Sequence, residues 1–293
     1  MNKLKKNKGI LYVLPSFILI LLFSIIPLFM TGFYSFTKYN VLQPAQFIGF
    51  SNYAHLLNDS FFKSSVINTI VYTALVVPVQ TVLALVLADV LASRFRGKFG
   101  GFVKSALFIP VISSMILVGT VWKFLLATEN GIINNFLSLF NITGLNWLGE
   151  QKLAMISICV VSIWKNAGYF LVIFYAGIMD IPRSYYEAAE VDGATHWQQL
   201  WFITLPSLKP ITYLVVTLGT IWSFQVFDLV YTMTGGGPGR STLTMVLTIY
   251  QNAFKQYKMG YASAISVVLL ILVLIVSALQ KFAFREKKEV CDK

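Results

Sequence analysis

Six long apolar stretches dominate this chain of 293 residues and constrain its fold more than any other feature. A helix needs about 20 mostly apolar residues to cross the hydrocarbon core of a bilayer. The sequence therefore predicts an all-α membrane protein with six transmembrane helices, in one membrane domain over residues 1–293. The six stretches carry at most one charged residue each: Ile10–Phe33, Val66–Ala88, Ser105–Ala127, Leu153–Met179, Pro210–Val230 and Met259–Gln280.

The composition excludes a soluble protein. Hydrophobic residues make up 57% of the chain and charged residues only 12%, whereas a soluble domain carries about 25% charged residues. The formal net charge of +11 could suit a nucleic acid, but that interpretation needs a basic face on a soluble fold. We therefore expect this chain to contact a lipid bilayer and no nucleic acid.

The distribution of basic residues predicts the orientation of the chain. With both termini in the cytoplasm, fifteen of the 23 Lys and Arg residues lie in inner segments and six lie in outer segments. The positive-inside rule therefore predicts cytoplasmic N- and C-termini. The first stretch is too long for a cleaved signal peptide and no small-residue cleavage site follows it, so we expect it to stay in the membrane. The inner set is Lys3, Lys5, Lys6, Lys8, Arg94, Arg96, Lys98, Lys104, Arg183, Lys209, Lys281, Arg285, Lys287, Lys288 and Lys293.

A polar segment between the fourth and fifth predicted spans, residues 181–206, carries the most distinctive pattern. Pro182 suits the first position of a helix, because its missing N–H needs no partner there. Arg183–Asp192 then has strong helix formers at its centre and favours a short helix. Gly193 tolerates a left-handed conformation and is suited to ending that helix.

The rest of this segment predicts a second short helix. Trp197 and Trp201 would stack at i and i+4, and Pro206 would break the chain before the fifth span. Ala188 and Ala189 carry almost no side chain, so another surface could approach the first helix closely. These residues alone leave two interpretations open: a docking element for a cytoplasmic partner, or an ordinary interfacial helix that joins two spans.

The spacing of fixed residues in this segment matches a known signature. The signature reads E-A-A, three residues, G, nine residues, I, one residue, L-P, and the chain fits it at Glu187, Ala188, Ala189, Gly193, Ile203, Leu205 and Pro206. In this segment the chain resembles the permeases of binding-protein-dependent ABC transporters. The match extends over twenty positions and falls in the predicted inner loop after the fourth span, where the signature is expected.

The wider chain resembles the sugar-type branch of these permeases, which includes transporters of maltose, other oligosaccharides and glycerol phosphate. The likeness covers nearly the whole chain and is least specific over the first forty residues. It rests on these stretches: Pro15, Pro27, Tyr34–Phe36, Gly49–Tyr53, Tyr186–Ala194, Phe227–Asp228, Thr234–Pro238, Tyr250, Ala253–Phe254 and Gly260–Ala264.

This resemblance implies half of a translocation pore in a bacterial plasma membrane. It implies a second permease subunit, favouring a heterodimer, with two ATP-hydrolysing subunits and an extracytoplasmic sugar-binding protein. The segment at 181–206 would be a coupling helix that fits a cleft in the ATPase. Glu187 would pair with a basic group there, Ala188 and Ala189 would allow close packing, and Gly193 would form the corner. Asp192, Ile203, Leu205 and Pro206 complete the expected coupling set.

Two clusters of polar side chains within the predicted spans are candidates for contact with a solute. Polar groups in a membrane are costly and usually face the protein interior or water, and aromatic rings beside amides suit a sugar. The alternative is that the charges neutralise or hydrogen-bond neighbours and that Trp164 only packs. The candidates are Trp164, Lys165, Asn166 and Tyr169 in the fourth span, and Gln225 and Asp228 in the fifth.

Other distinctive residues have structural interpretations. Lys123 is expected to reach the outer interface by snorkelling. Asp89 is expected to pair with Arg94 or Arg96, and Gly235–Arg240 is interpreted as a flexible turn that helps to form the outer mouth of the pore. Cys159 and Cys291 are far apart, so neither a disulfide nor a zinc site is predicted.

No catalytic chemistry is predicted for the chain itself. It lacks the G-x-x-x-x-G-K-[ST] phosphate loop, and neither His55 nor His196 has a triad or metal spacing around it. We therefore expect no catalytic residue, metal or cofactor on this chain, with ATP and magnesium used by the partner ATPase. The rival hypotheses are an ABC permease for a polyamine or a phosphate ester, an ion-coupled secondary transporter, and a scaffold or sensor without transport.

Overall fold

The computed structural model describes residues 12–93, 95 and 98–285, and its long helices follow the apolar stretches of the sequence. In chain order the elements are α1 (Tyr12–Tyr34), β1 (Thr37–Lys38), β2 (Gln46–Phe47), α2 (Ser51–Asn58), α3 (Ser60–Ser93), α4 (Lys98–Ile112), α5 (Met115–Leu125), α6 (Ile132–Ser138), α7 (Gln151–Asp180), α8 (Arg183–Val191), α9 (His196–Ser207), α10 (Lys209–Phe224), α11 (Asp228–Met233), α12 (Met245–Tyr250, continued by a π turn at Gln251–Lys255) and α13 (Met259–Ala283). Residues used in the predictions that lie outside the described ones are Lys3, Lys5, Lys6, Lys8, Ile10, Arg94, Arg96, Lys287, Lys288, Cys291 and Lys293.

Four of the predicted spans are continuous apolar helices long enough to cross a membrane, namely α1, α3, α7 and α13. Two further spans are possible if each of two bent helix pairs counts as one crossing, which gives four to six in the described residues. The chain is mostly helical rather than all-α. A short antiparallel hairpin follows α1, in which Thr37 pairs with Phe47 and Lys38 with Gln46.

The third predicted span is not one helix. It consists of α4 and α5, which meet at an angle of 96° across Ser113 and Ser114. Pro110 lies inside the last turn of α4, and proline removes a backbone donor and crowds the preceding turn. The Ser113 N–H then closes a tight turn on the Pro110 carbonyl, and Ser114 is extended with ψ 138°.

The fifth predicted span is shorter than expected. Its helix, α10, ends at Phe224, and the residues up to Val230 belong to a loop and to α11. Phe227 has φ −136° and ψ −63°, which is not helical, and Asp228 occupies the first turn of α11. An acidic side chain is stabilising at a helix N-terminus, so the charge near the end of this apolar stretch begins a new helix.

The chain folds into two compact units. The first contains residues 12–63 and 248–271, including α1, the hairpin and α2. The Asn52 amide donates to the carbonyls of Ser35 and Thr37, both at 2.9 Å, and the Tyr53 hydroxyl donates to Ser35 Oγ at 2.7 Å. These bonds fix the loop that follows α1, so Asn52 and Tyr53 are structural residues of this unit.

Asp59 is the other polar centre of this unit. It accepts a hydrogen bond of 2.6 Å from the Tyr261 hydroxyl and one of 2.8 Å from the Phe61 N–H. Burial raises the pKa of the Asp59 carboxyl, but the hydrogen bonds from Tyr261, Phe61 and Phe62 outweigh it and hold that pKa below its ordinary value. The carboxylate therefore stabilises the folded unit at neutral pH, and this contribution is lost as the pH falls through the lowered pKa.

The second unit contains residues 64–247 and 272–285 and holds the main apolar core. The core is built from α3, α7 and α10, and its members are Ala84, Ala88, Leu91, Ala92, Phe170, Leu171, Phe174, Ile178, Leu208 and Val215. The α4 helix also packs on α7. Gly168 allows this approach, because a Cβ at this position would clash with the carbonyl oxygen of Leu107.

We predict that Gly168→Ala destabilises the protein, because the added methyl group must push α4 away from α7. Such overpacking costs about 1–3 kcal/mol. The matched control is Gly101→Ala in α4, where nothing lies within 4 Å of a built Cβ and alanine favours the helix. Thermal unfolding of the detergent-purified protein measures both. Equal midpoints for the two variants would contradict the close packing at Gly168.

Candidate functional site

The surface segment between α7 and α10 contains two short helices, α8 and α9. Residues Arg183–Val191 are helical, which confirms the helix predicted from the sequence. Pro182 was expected in the first turn but precedes the helix, because its ψ of 129° is extended. Ile181 packs against the core of the second unit, so the chain enters α8 from an anchored residue.

The end of α8 forms a glycine corner. Gly193 has φ +78°, which confirms the predicted left-handed residue. The Ala194 N–H donates to the Ala189 carbonyl at 2.8 Å, and the Gly193 N–H donates to the Glu190 carbonyl at 3.0 Å. This pair of bonds defines a Schellman motif, which satisfies carbonyls left unpaired at a helix end. The corner therefore fixes the direction in which α9 leaves α8.

The α9 helix begins with a capping box. Thr195 Oγ1 accepts from the Gln198 N–H, and the Gln198 side chain accepts from the Thr195 N–H. The T-x-x-Q pattern of the sequence is a signal for this cap that the sequence-based prediction missed. Pro206 does not itself break the chain as expected, because it lies in the first turn of the stretch Leu205–Ser207, which follows a π turn at Leu200–Thr204. The break comes at Leu208, where α9 and α10 meet at 70°.

Two side-chain pairs tie this segment to its surroundings. The hydroxyls of Tyr186 and Thr204 are 2.9 Å apart and join α8 to α9. His196 Nε2 lies 3.0 Å from Asp89 Oδ2 at the end of α3. Within the described residues, Asp89 has His196 as its partner; Arg94 and Arg96, the partners expected from the sequence, lie outside those residues. His196 is thus an anchor of the segment.

The exposed residues of the segment include several of the signature positions and also large apolar side chains such as Val191 and Phe202. Glu187, Ala188, Asp192, Gly193 and Pro206 are exposed, and Ala189 is partly buried. Ile203 and Leu205, which belong to α9, are also partly buried. Trp197 and Trp201 meet edge to face with ring centroids 6.1 Å apart, where stacking was expected. The segment is therefore an exposed pair of short helices, held to the second unit by Ile181 and by the His196–Asp89 contact.

A cavity of about 140 Å³ lies within the second unit, at the end of α10. It brings together residues from both predicted polar clusters, because Asn166 of α7 faces it with Gln225 and Asp228. Aromatic and amide groups share its wall. The lining residues are Tyr72, Gln80, Met115, Ser162, Asn166, Gly219, Trp222, Ser223, Gln225, Val226, Phe227, Asp228 and Leu229.

The other three candidates of the fourth span do not line this cavity. Lys165 is buried, and its Nζ donates to the Val111 carbonyl at 3.2 Å. Val111 lies in the last turn of α4, where carbonyls lack intrahelical partners. The lysine therefore satisfies a carbonyl that the break in the third span leaves unpaired. Trp164 packs edge to face on Trp122 at 5.5 Å. Tyr169 packs on Trp222, 4.9 Å away, behind the cavity wall.

Gln80 is a cavity residue that the sequence reasoning missed. It is 1% exposed, and its Oε1 has no hydrogen-bond partner among the described residues. Gly219 leaves room for its amide, since a Cβ at this position would crowd Nε2 of Gln80. A buried amide oxygen without a partner is unusual and costly. The available signal was a glutamine inside the apolar run of the second span.

The glycine-rich segment after α11 is a turn, as predicted, but hydrogen bonds hold it. The Asn68 amide donates to the carbonyls of Arg240 and Leu243, at 2.6 and 3.0 Å. Thr242 Oγ1 donates to the Gly237 carbonyl at 2.7 Å. Asn68 of α3 therefore ties the end of this turn to the second unit. Within residues 12–93, 95 and 98–285, no group of three His, Cys, Asp or Glu side chains could hold a metal ion.

The described residues therefore have the features of a membrane protein with several apolar spans, a surface segment of two short helices and a polar internal cavity. The family described as binding-protein-dependent transport system inner membrane component matches residues 47–288. The chain belongs to this family and is a permease subunit, not an enzyme.

Similar proteins cover nearly the whole chain. The probable ABC transporter permease protein YurN of Bacillus subtilis is 34% identical over 282 residues, which are 95% of this chain and 96% of that protein. The sulfoquinovosyl glycerol transport system permease protein SmoG of Agrobacterium fabrum is also 34% identical over 282 residues, covering 95% and 91%. A bacterial ABC transporter involved in the import of alginate has a chain with a TM-score of 0.86 and 23% identity, covering 98% and 99%. That last likeness establishes the same fold.

We predict that Gly193→Val opens the corner between α8 and α9. A β-branched residue at φ +78° costs roughly 1–2 kcal/mol, so the Ala194 amide should exchange with deuterium about ten-fold faster. Gly193→Asn is the matched control, because asparagine tolerates the left-handed region and nothing lies within 4 Å of a built Cβ. Hydrogen exchange with mass spectrometry measures both. Equal protection in the two variants would contradict the corner's role.

Proposed function

We propose that this chain is the membrane permease subunit of an ATP-binding-cassette importer for a carbohydrate. Relatives named for sugar transport support this, including SmoG and the lactose transport system permease protein LacF of Rhizobium radiobacter, which is 32% identical over 96% of this chain. In this proposal the chain forms half of the pore and crosses the plasma membrane of a bacterium six times, as a single permease domain with cytoplasmic termini.

The partners follow from the same proposal. A second permease subunit completes the pore as a heterodimer, and two ATPase subunits bind below it with their ATP and magnesium. An extracytoplasmic sugar-binding protein delivers the solute. A solved alginate transporter with a similar fold was crystallised with a pentasaccharide-bound periplasmic protein, which supports an assembly of this kind.

The observation that carries the proposal is the exposed face of α8 on an anchored base. Glu187, Ala188 and Gly193 leave an acidic group beside bare backbone, which suits a cleft with a basic lining. The segment is a coupling helix in this proposal, and Asp192, Ala189, Ile203, Leu205 and Pro206 belong to the same coupling set. Closing of the ATPase would move α8 and α9 together, since Tyr186 and Thr204 are hydrogen-bonded.

The bend at Leu208 links this movement to the pore. Leu208 is fully buried in the core, and α10 begins at the next residue. The far end of α10 lines the cavity with Gly219, Trp222 and Ser223. A tilt of the coupling segment therefore reaches the cavity through one continuous helix. This geometry provides a direct mechanical path from the ATPase to the solute.

The cavity supports a hydroxylated solute. Hydrogen-bond donors and acceptors lie beside the Trp222 ring, on Asn166, Gln225 and Asp228. The amide oxygen of Gln80, which has no partner in the described residues, can accept a hydrogen bond from a hydroxyl group. The volume of about 140 Å³ is below the 300–1,000 Å³ of a typical ligand pocket. We interpret the cavity as a narrow part of the solute pathway. Lys165, Trp164 and Tyr169 support its walls in this proposal.

We predict that Glu187→Arg lowers ATP-dependent solute uptake at least ten-fold, because it places a cation against the basic cleft of the ATPase. The matched control is Glu129→Arg, an exposed glutamate outside the coupling segment, which should retain uptake within two-fold. Proteoliposomes with the second permease, the ATPase and the loaded binding protein provide the measurement. Equal uptake by both variants would exclude the coupling role of Glu187.

We predict that Gln80→Leu leaves the protein as stable as the wild type, because it removes an unpaired buried oxygen, yet lowers solute uptake about ten-fold. The matched control is Gln280→Leu. Gln280 also has a buried Oε1 without a partner in the described residues but does not line the cavity. Thermal unfolding and uptake are measured on both. Normal uptake by Gln80→Leu would remove this residue from the pathway.

A further inference from the structure

A second and larger cavity, of about 770 Å³, lies where α10 begins and α13 ends. Three cationic side chains from these two ends converge on it: Lys209 from α10, Lys281 from the last turn of α13, and Arg285 just beyond. Pro210, Tyr213, Ala278, Phe282 and Phe284 complete its lining. The cavity therefore combines a concentrated positive charge with an apolar wall.

The charged side chains that line this cavity are all cationic. None of the eight lining residues is acidic. The ion pair between His196 and Asp89 does not involve this cavity. Three cations held together repel one another, and an anion among them would remove that repulsion. The cation set therefore fits an anionic group with several acceptor oxygens, such as a phosphate.

The apolar wall of the cavity continues along α13. Tyr213 and Phe284 pack with ring centroids 5.6 Å apart and line the cavity beside the cations. Phe282 and Leu279 on α13 are 77% and 63% exposed, and Leu274 is exposed one turn further along the apolar helix. A soluble phosphate would use the cations alone. A ligand with a phosphate head and apolar chains would use both features.

We propose that this cavity binds an anionic phospholipid, with its phosphate among Lys209, Lys281 and Arg285 and its acyl chains along α13. Basic pockets between membrane helices are suited to such head groups. The site also adjoins the bend at Leu208, so a bound lipid contacts the start of the helix that leads to the solute cavity. The inference is independent of which solute the protein carries.

Native mass spectrometry of the full-length, detergent-purified protein tests this proposal with phosphatidylglycerol and phosphatidylcholine of identical acyl chains. Each Lys or Arg near an anionic head group is worth roughly a five-fold change in affinity. We expect phosphatidylglycerol to bind at least ten-fold more tightly than phosphatidylcholine. We also expect glycerol phosphate, which carries the phosphate without acyl chains, not to compete. Equal binding of the two lipids, or full competition by glycerol phosphate, would overturn the proposal.

Variants locate the site. The triple substitution Lys209→Gln, Lys281→Gln and Arg285→Gln should reduce the preference for phosphatidylglycerol to within about three-fold of phosphatidylcholine. The control removes the same charge elsewhere, by Lys38→Gln, Lys63→Gln and Lys152→Gln, all exposed, and should keep the preference. Exchange of each cation for the other type, Lys209→Arg, Lys281→Arg and Arg285→Lys, should also keep it. Equal preferences in the first variant and the control would contradict the assignment.

Discussion

The need to satisfy backbone hydrogen bonds away from water is the constraint on which the rest of this structure depends. In hydrocarbon, every N–H and C=O group must find a partner within the protein, and a continuous helix is the simplest solution. α1, α3, α7 and α13 obey it directly. Where the chain departs from a helix, a side chain supplies the missing bond: Lys165 at the end of α4, Asn68 beneath the loop after α11, and Thr244, which donates to the Val226 carbonyl at 3.2 Å.

These departures shape the surface segment and the internal cavity. The loop after Phe224 allows Gln225 and Asp228 to line a cavity, which a continuous fifth span would have filled. At the bend at Leu208 the surface segment meets the start of α10, and the far end of α10 lines the cavity. Gln80 lines the same cavity but departs from this pattern of paired polar groups. Its oxygen has no partner among the described residues, at the place where a passing solute could provide one.

Local sequence signals predicted local structure well, and the non-local contacts escaped them. The glycine corner at Gly193 and the bounds of α8 depend on residues within one turn, and the long apolar runs need no tertiary information. The sequence places a charged Lys165 inside an apolar span, which makes it a candidate for solute contact. Nothing in the sequence indicates that the Val111 carbonyl, 54 positions away, accepts a hydrogen bond from it. The pairing of Asp89 with His196 spans 107 positions and could not be inferred while nearer arginines offered an obvious alternative. The breaks in the third and fifth spans follow from Pro110, Ser114 and Asp228, whose influence an apolarity criterion ignores.

In the proposed function, this chain couples ATP hydrolysis on a partner to passage of a carbohydrate. The most direct measurement is ATP hydrolysis by the assembled complex in lipid nanodiscs, with the binding protein empty or loaded from a panel of sugars, a polyamine and glycerol phosphate. We predict that one sugar-loaded form stimulates hydrolysis several-fold over the empty form. Stimulation by the polyamine or the phosphate ester alone would contradict the assigned solute class. Solute uptake driven by an ion gradient, without the ATPase, would contradict the coupling itself.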